Sequence, residues 1–274
     1  MFPTIAKLGP LALHSWGLML ALAFLAGIAI AYLRAKKKGL DPQHIVDMAV
    51  VVIVAGIIGG RLAYVLVHLS DFKDFPLEVF AIWRGGMTFY GGAVLGFIAG
   101  MVYLKRKRLN VWIVADIVAP SLSFGFFVGR IGCFLNGCCF GEPTTRAWGI
   151  LFPLGSYADQ VYGASVHIHP TQLYSSLAGL VIFFLLLWME RWWRFNGSLF
   201  WRYVILYSLW RIFIDFFRYY EPSSIYQIGS WQVTESQLTS IGTLIVSIVM
   251  LSVLSRKKFR GSAELSQSTP VSSP

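Results

Sequence analysis

The chain has 274 residues, of which 56% are hydrophobic and only 13% charged, with a mean hydropathy of +0.64. That balance is too apolar for a soluble domain of this size and points to a membrane protein. The formal net charge of +10 would suit a nucleic-acid binder, but its distribution rejects that partner, because the basic residues cluster at alternate ends of apolar runs.

Apolar runs long enough to cross ~30 Å of hydrocarbon fall at about 16–33, 45–67, 88–104, 112–135, 171–189, 199–217 and 237–255. The expected fold is therefore all-α, a polytopic membrane protein of seven helices filling residues 1–261. The segment 262–274, rich in Ser, Thr, Gln and Pro, reads as a disordered tail. The first run is not a cleavable signal peptide, since only Lys7 precedes it and its positive cluster (Arg34, Lys36, Lys37, Lys38) follows it. Lys105–Arg108 follow the third run, Arg191, Arg194 and Arg202 surround the turn after the fifth, and Arg256, Lys257, Lys258 and Arg260 follow the seventh. The opposite loops carry only Lys7, Lys73, Arg84 and Arg146. This alternation places the N-terminus outside and the C-terminus in the cytoplasm, and lets some of the basic charge touch anionic lipid. No internal repeat is evident, which disfavours an inverted-repeat transporter.

Glycine punctuates three of these runs. Gly56, Gly59 and Gly60 precede Arg61; Gly85, Gly86, Gly91 and Gly92 bracket Met87–Tyr90; Gly129, Gly132, Gly137 and Gly141 surround Arg130. Gly56 and Gly96 read as helix-packing positions, whereas 85–92 and 129–141 read as irregular backbone lining a polar cavity. The longest external segment, about 136–170, is long enough for a small cap. Cys133, Cys138 and Cys139 all lie near the outer end of the fourth run. Several readings stay open for them: a disulfide from Cys133 to Cys138 or Cys139, small-residue packing, or a thiolate favoured by Arg130. Cys138 and Cys139 with His167 and His169 match none of the usual zinc spacings, so no metal is expected.

Arg61, Arg130, Arg211 and Arg218 lie inside or at the end of apolar runs, where a charge costs at least ~2.5 kcal/mol at mid-bilayer. Few acids are available to pair with them, chiefly Asp47, Asp116 and Asp215. Surplus cation implies an anionic ligand, and the anions a membrane offers in bulk are lipid phosphates. The structural alternative is pairing within the chain, as Arg211 with Asp215 at i,i+4 spacing.

At these positions the chain resembles the prolipoprotein diacylglyceryl transferase family. The run Gly-Arg-Ile-Gly-Cys-Phe-Leu-Asn-Gly-Cys-Cys-Phe-Gly (129–141) is similar to the family signature around its essential arginine. Gly-Gly-Arg (59–61), Gly-Gly-Met-Thr-Phe-Tyr-Gly-Gly (85–92), His-Pro-Thr-Gln-Leu-Tyr (169–174), and Tyr207 with Arg211, Asp215 and Arg218 agree in order and spacing. The resemblance extends from about Leu13 to the seventh run. It departs where better-known members have His at Tyr90, Asn at Cys133 and Glu at Cys138, a tyrosine near Trp16 and an acid near Ser175.

The resemblance implies transfer of the diacylglyceryl group of phosphatidylglycerol to the lipobox cysteine thiol of prolipoprotein signal peptides. A thioether forms and glycerol phosphate leaves, in the bacterial inner membrane, with no cofactor. Arg130 and Arg211 are the expected phosphate clamp, because a guanidinium binds phosphate bidentately and stays charged when desolvated. Arg61 and Arg218 are expected in support, with Asn136, Gly141, Gln172 and Tyr207 as further substrate-binding positions. Tyr90 and His169 are the candidates near the thiol proton, Tyr90 being a weak base at neutral pH. A silent lipid-binding paralogue or an anion transporter would use the same arginines.

Overall fold

A computed structural model describes residues 4–8, 11–73, 76–163, 165–192, 195–221, 224–228 and 231–267. Arg194 of the fifth-run cluster and residues 268–274 of the expected tail lie outside the described residues. The helices in chain order are α1 (Ser15–Lys37), α2 (Gln43–Val67), α3 (Phe89–Arg106), α4 (Val111–Asn136), the short α5 (Tyr157–Tyr162), α6 (Thr171–Met189), α7 (Ser198–Ile214) and α8 (Glu235–Gln267). A helix thus stands at each of the seven expected places. Five segments are long and apolar enough to cross a membrane: Ser15–Lys37, Gln43–Val67, Val111–Asn136, Thr171–Trp192 and Glu235–Arg256. With 18 and 17 residues, α3 and α7 reach only about 26–27 Å at ~1.5 Å per residue. α8 continues through residues 262–267, where the sequence reads as irregular tail.

The chain is mostly helical, as the all-α reading expects, and three small antiparallel sheets accompany the helices: β1 (Thr4–Leu8) with β2 (Leu11–His14), β3 (Ile150–Leu151) with β4 (His167–Ile168), and β5 (Ile225–Ile228) with β6 (Trp231–Thr234). β1 and β2 are mostly Leu and Ala, whereas β5 and β6 are largely β-branched or aromatic, the types that suit a pleated strand. In the last pair, Ile225 faces Thr234 and Tyr226 faces Val233.

The chain forms two compact units, residues 31–114 and residues 1–30 with 115–274. In the smaller unit α2 and α3 pack through glycine. A Cβ on Gly59 would stand 2.5 Å from the Gly91 carbonyl oxygen and 2.6 Å from Leu95 Cβ, and one on Gly92 would stand 2.8 Å from the Gly56 oxygen. Gly96 likewise lies against Val52 and Gly56, as the packing reading expects. Toward the α2 start, Asp47 accepts hydrogen bonds from Gln43 (2.8 Å) and from the Tyr103 hydroxyl (3.3 Å).

In the larger unit α7 packs against α6 and α8, and α4 touches α1 and α6. A Cβ on Gly132 would come within 2.9 Å of Met19 Cβ on α1, and one on Gly179 of α6 within 2.9 Å of the Phe127 nitrogen. Ser123 and Ser176 donate across that contact to the Gly179 and Phe127 carbonyls (2.8 and 3.0 Å). The fully buried Asp116 carboxylate accepts from the Gly197 and Phe200 N–H groups (2.6 and 2.8 Å), capping the α7 N-terminus. Residues 137–170 form a structured lobe. Phe140, Phe152, Ala158 and Ile168 make its core, with Tyr162 and Tyr219 packed against it.

Candidate active site

Arg130 lies in the last two turns of α4. Among the described residues its guanidinium has neither a hydrogen bond nor a carboxylate partner; it lies 4.9 Å above the Phe126 ring. Tyr207 of α7 meets the same ring edge-on at 5.2 Å, so Arg130 and Tyr207 share one aromatic wall. A cation held only by a ring face keeps its planar donors available.

The expectation of irregular backbone over 129–141 is corrected for its first half, which stays helical to Asn136. Any cavity-lining irregularity begins at Gly137, whose φ of +78° ends the helix in the left-handed region that glycine tolerates. The Cys138 N–H then bonds back to the Cys133 carbonyl at 3.1 Å. Cys139 adopts φ +60°, a strained choice for a residue with a Cβ. The 85–92 segment divides similarly. Gly85 and Gly86 are left-handed (φ +84° and +72°), but helix α3 has begun by Phe89.

Gly141 is the crossing point of three segments. Its N–H donates to the His169 carbonyl (3.1 Å), His169 N–H to the Glu142 carbonyl (3.0 Å), and Glu142 N–H to the Phe217 carbonyl (2.9 Å). The same ladder pairs Gly141 with Arg218. The Arg218 Nε is buried without a hydrogen-bond partner among the described residues, and its guanidinium lies 5.2 Å from the Tyr220 ring. Arg218 thus lies beside the turn that follows α4, the helix carrying Arg130. The Cys139 thiol is held below its ordinary value first by hydrogen bonds with the Cys133 and Cys138 thiols, and then by the charges of Arg218 and Arg130.

His169 follows β4 and packs edge-on against Phe217 (5.5 Å) and Tyr174 (6.0 Å). Its Nδ1 is 3.1 Å from the Tyr174 hydroxyl, which accepts from the Trp148 indole N–H at 2.8 Å. Burial, then the Arg146 charge, lower the imidazole from its ordinary value, with Glu142 acting the other way. His169 is thus neutral near pH 7. Gln172 is fully buried; its amide nitrogen donates to the Cys138 carbonyl (2.8 Å) and its Oε1 has no partner among the described residues. Thr171 donates to the Cys139 carbonyl at 2.9 Å. Asn136 is exposed at the α4 end, two residues before Cys138.

Arg211 is engaged differently from Arg130. It forms the i,i+4 ion pair with Asp215 (3.0 Å) and donates to the Tyr220 hydroxyl (2.7 Å). Asp215 also accepts from Tyr220 (2.6 Å) and Thr234 (2.9 Å). Arg61 and Tyr90 belong to the smaller unit. Arg61 donates to the carbonyls of Glu78, Val79, Gly85 and Gly86, fixing the turn that leads into α3. Tyr90, one residue into α3, is 74% exposed and contacts the Phe89 ring. The residues that sequence reasoning left without a role are Trp148, Tyr174, Thr171, Tyr220 and Thr234. Only Tyr174 and Thr171 carried a signal, as members of the 169–174 run.

The three cysteines are free thiols, with their Sγ atoms within 4.8 Å of one another. His167 and His169 take no part in that group among the described residues.

Residues 3–253 match the family model described as prolipoprotein diacylglyceryl transferase. Proteins named phosphatidylglycerol–prolipoprotein diacylglyceryl transferase are similar along nearly the whole chain. That of Clostridium tetani is 34% identical over 253 residues, covering 92% of this chain and 98% of the relative. That of Geobacter sulfurreducens is 34% identical over 260 residues (93% and 96%), and that of Synechococcus elongatus 32% over 255 residues (91% and 86%).

Proposed function

The chain belongs to the prolipoprotein diacylglyceryl transferase family, and from that premise we propose how its own residues carry the reaction. It is a membrane transferase that moves the diacylglyceryl group of phosphatidylglycerol to prolipoproteins, a step of lipoprotein maturation. The acceptor in our reading is the lipobox cysteine thiol of the signal peptide. Its thiolate attacks the glyceryl carbon bearing the phosphate ester, a C–S bond forms, the C–O bond breaks, and glycerol phosphate leaves with the electron pair. The setting is the bacterial inner membrane, with seven membrane-spanning helices, the N-terminus and the 136–170 lobe outside, the C-terminus cytoplasmic, and membrane lipid around the bundle. Residues 1–261 act as one transferase domain, and no cofactor enters the reaction.

The observation that carries the site assignment is the uncompensated charge of Arg130, reinforced by the unpartnered Arg218 Nε. These two arginines act on the same residue, Cys139, and are the phosphate clamp. Arg211, occupied by Asp215 and Tyr220, is a positioning residue that holds the segment leading to Arg218. Tyr207 extends the Phe126 wall beside the clamp. Gln172 and Thr171 hold the turn after α4, Asn136 at its start faces the substrate, and Gly141 sets the spacing of His169 against Arg218. His169, neutral near pH 7, takes the thiol proton directly or through water. Arg61 shapes the turn before α3, from which Tyr90 orients lipid or thiol.

Transfer from phosphatidylglycerol to a lipobox peptide by the detergent-purified protein tests this. Arg130→Lys and Arg218→Lys keep the charge but lose the bidentate fork. Each should lose on the order of 100-fold or more in kcat, the scale of removing one transition-state donor. Near-normal turnover in either variant would remove that arginine from the clamp.

A further inference from the structure

We propose that Cys133, Cys138 and Cys139 form a three-thiolate site for a soft metal ion, and that the ion it fits is Cu(I). The three Sγ atoms already lie within 4.8 Å of one another, and no disulfide ties up any of them. With metal–sulfur bonds of ~2.3 Å, three thiolates around one ion in a plane stand about 4.0 Å apart. Closing the group on an ion therefore takes small side-chain adjustments.

The backbone holds the thiols in place from independent elements. Cys133 sits on the last helical turn of α4, and the Cys138 N–H is tied to the Cys133 carbonyl. The Cys138 and Cys139 carbonyls are held by Gln172 and Thr171 at the start of α6. Cys139 also adopts the left-handed conformation, so this turn is not the relaxed choice for its sequence.

Ligand type and charge select the ion. Thiolates prefer soft cations such as Cu(I) and Zn(II). Structural zinc is almost always four-coordinate, and among the described residues no fourth His, Cys, Asp or Glu joins the group. Cu(I) is satisfied by three thiolates. Three thiolates and one monovalent ion carry a net charge of −2, and Arg130 and Arg218 are the two cations acting on this turn. The same two charges that suit a phosphate would balance a copper–thiolate centre.

The test uses the full chain, purified in detergent under anaerobic, reducing conditions and titrated with Cu(I) against a competing chromogenic chelator. One equivalent should leave the chelator, with three sulfur neighbours in its X-ray absorption spectrum. Cys133→Ser, Cys138→Ser and Cys139→Ser should each weaken binding by on the order of 100-fold or more, beyond the loss expected from an outer-shell change. Retention of all the Cu(I) by the chelator would overturn the proposal. So would wild-type affinity in any one variant, a two-sulfur spectrum, or preferential uptake of Zn(II) added in competition. Wild-type stoichiometry and spectrum decide the matter even if a variant misfolds, and neither reading depends on transfer activity.

Discussion

Replacing Gly141 by alanine tests whether the crossing of three segments sets the catalytic geometry. The added Cβ would stand 2.5 Å from the Phe217 carbonyl oxygen, and 2.7 Å from both the His169 oxygen and the His169 Cβ. Ordinary contact is ~3.5 Å, so the neighbours must retreat by about 1 Å. They are not free to do so separately. The Phe217 carbonyl accepts from Glu142 N–H, and the His169 carbonyl accepts from Gly141 itself. With rigid backbone on both sides, the cost belongs at the upper end of overpacking, about 3 kcal/mol. A ~1 Å displacement of His169 relative to Arg218 should also reduce transfer by about 100-fold. The control is Gly129→Ala in α4, where an added Cβ meets nothing within 4 Å. That helical change should leave transfer intact and cost no stability. The measurements are thermal unfolding in detergent and the transfer rate to a lipobox peptide. Gly141→Ala behaving like Gly129→Ala in both would refute the reasoning.

His169 should impose an acid limb on the pH–rate profile. Its imidazole lies below the ordinary value, so the rate should be flat near pH 7 and fall only as pH drops below ~6.5. The same depression contributes stability that is present above ~6.5 and lost as pH falls through the lowered folded value. His169→Gln should abolish the limb, and an unchanged profile in that variant would assign the proton elsewhere. Asp215→Asn leaves Arg211 without its counter-charge and should cost about 3–5 kcal/mol, the scale for breaking a buried pair. An unfolding transition matching wild type would show the pair to be incidental. Tyr90→Phe should slow transfer only about tenfold, the loss of ~1.4 kcal/mol of hydrogen bonding, and Tyr90→His should be tolerated; complete loss in the Phe variant with rescue by His would give the position a proton-transfer role.

The helices were legible because a ~20-residue apolar run in a membrane chain has one low-energy backbone, which satisfies every N–H and C=O internally. Gly56 and Gly96 were legible for a related reason: close helix approach requires a missing side chain. The small sheets were not. A segment such as Ile150–Leu151 pairs with His167–Ile168 across the lobe, and a two-residue strand leaves no periodicity to read. Nor did the glycines of 129–141 reveal where the helix ends. Glycine at 129 and 132 serves open space and the Met19 contact, whereas Gly137 alone uses the left-handed freedom. Composition cannot separate those uses.

The arginines show where sequence spacing misleads about position. Arg211 and Arg218 are seven residues apart, and helical continuity would set both on one face. The chain leaves α7 at Ile214 and passes through a single 3-10 turn at Asp215–Phe217, so Arg218 emerges in extended backbone beside Gly141. Arg211 stays on the helix, where Asp215 is its i,i+4 neighbour and absorbs its charge. Asp215 is fixed in turn by Tyr220 and Thr234, two residues whose relevance depends on how the chain returns after the turn. One local event, the end of α7, therefore decides which guanidinium is neutralised within the protein and which is free to serve in the proposed clamp.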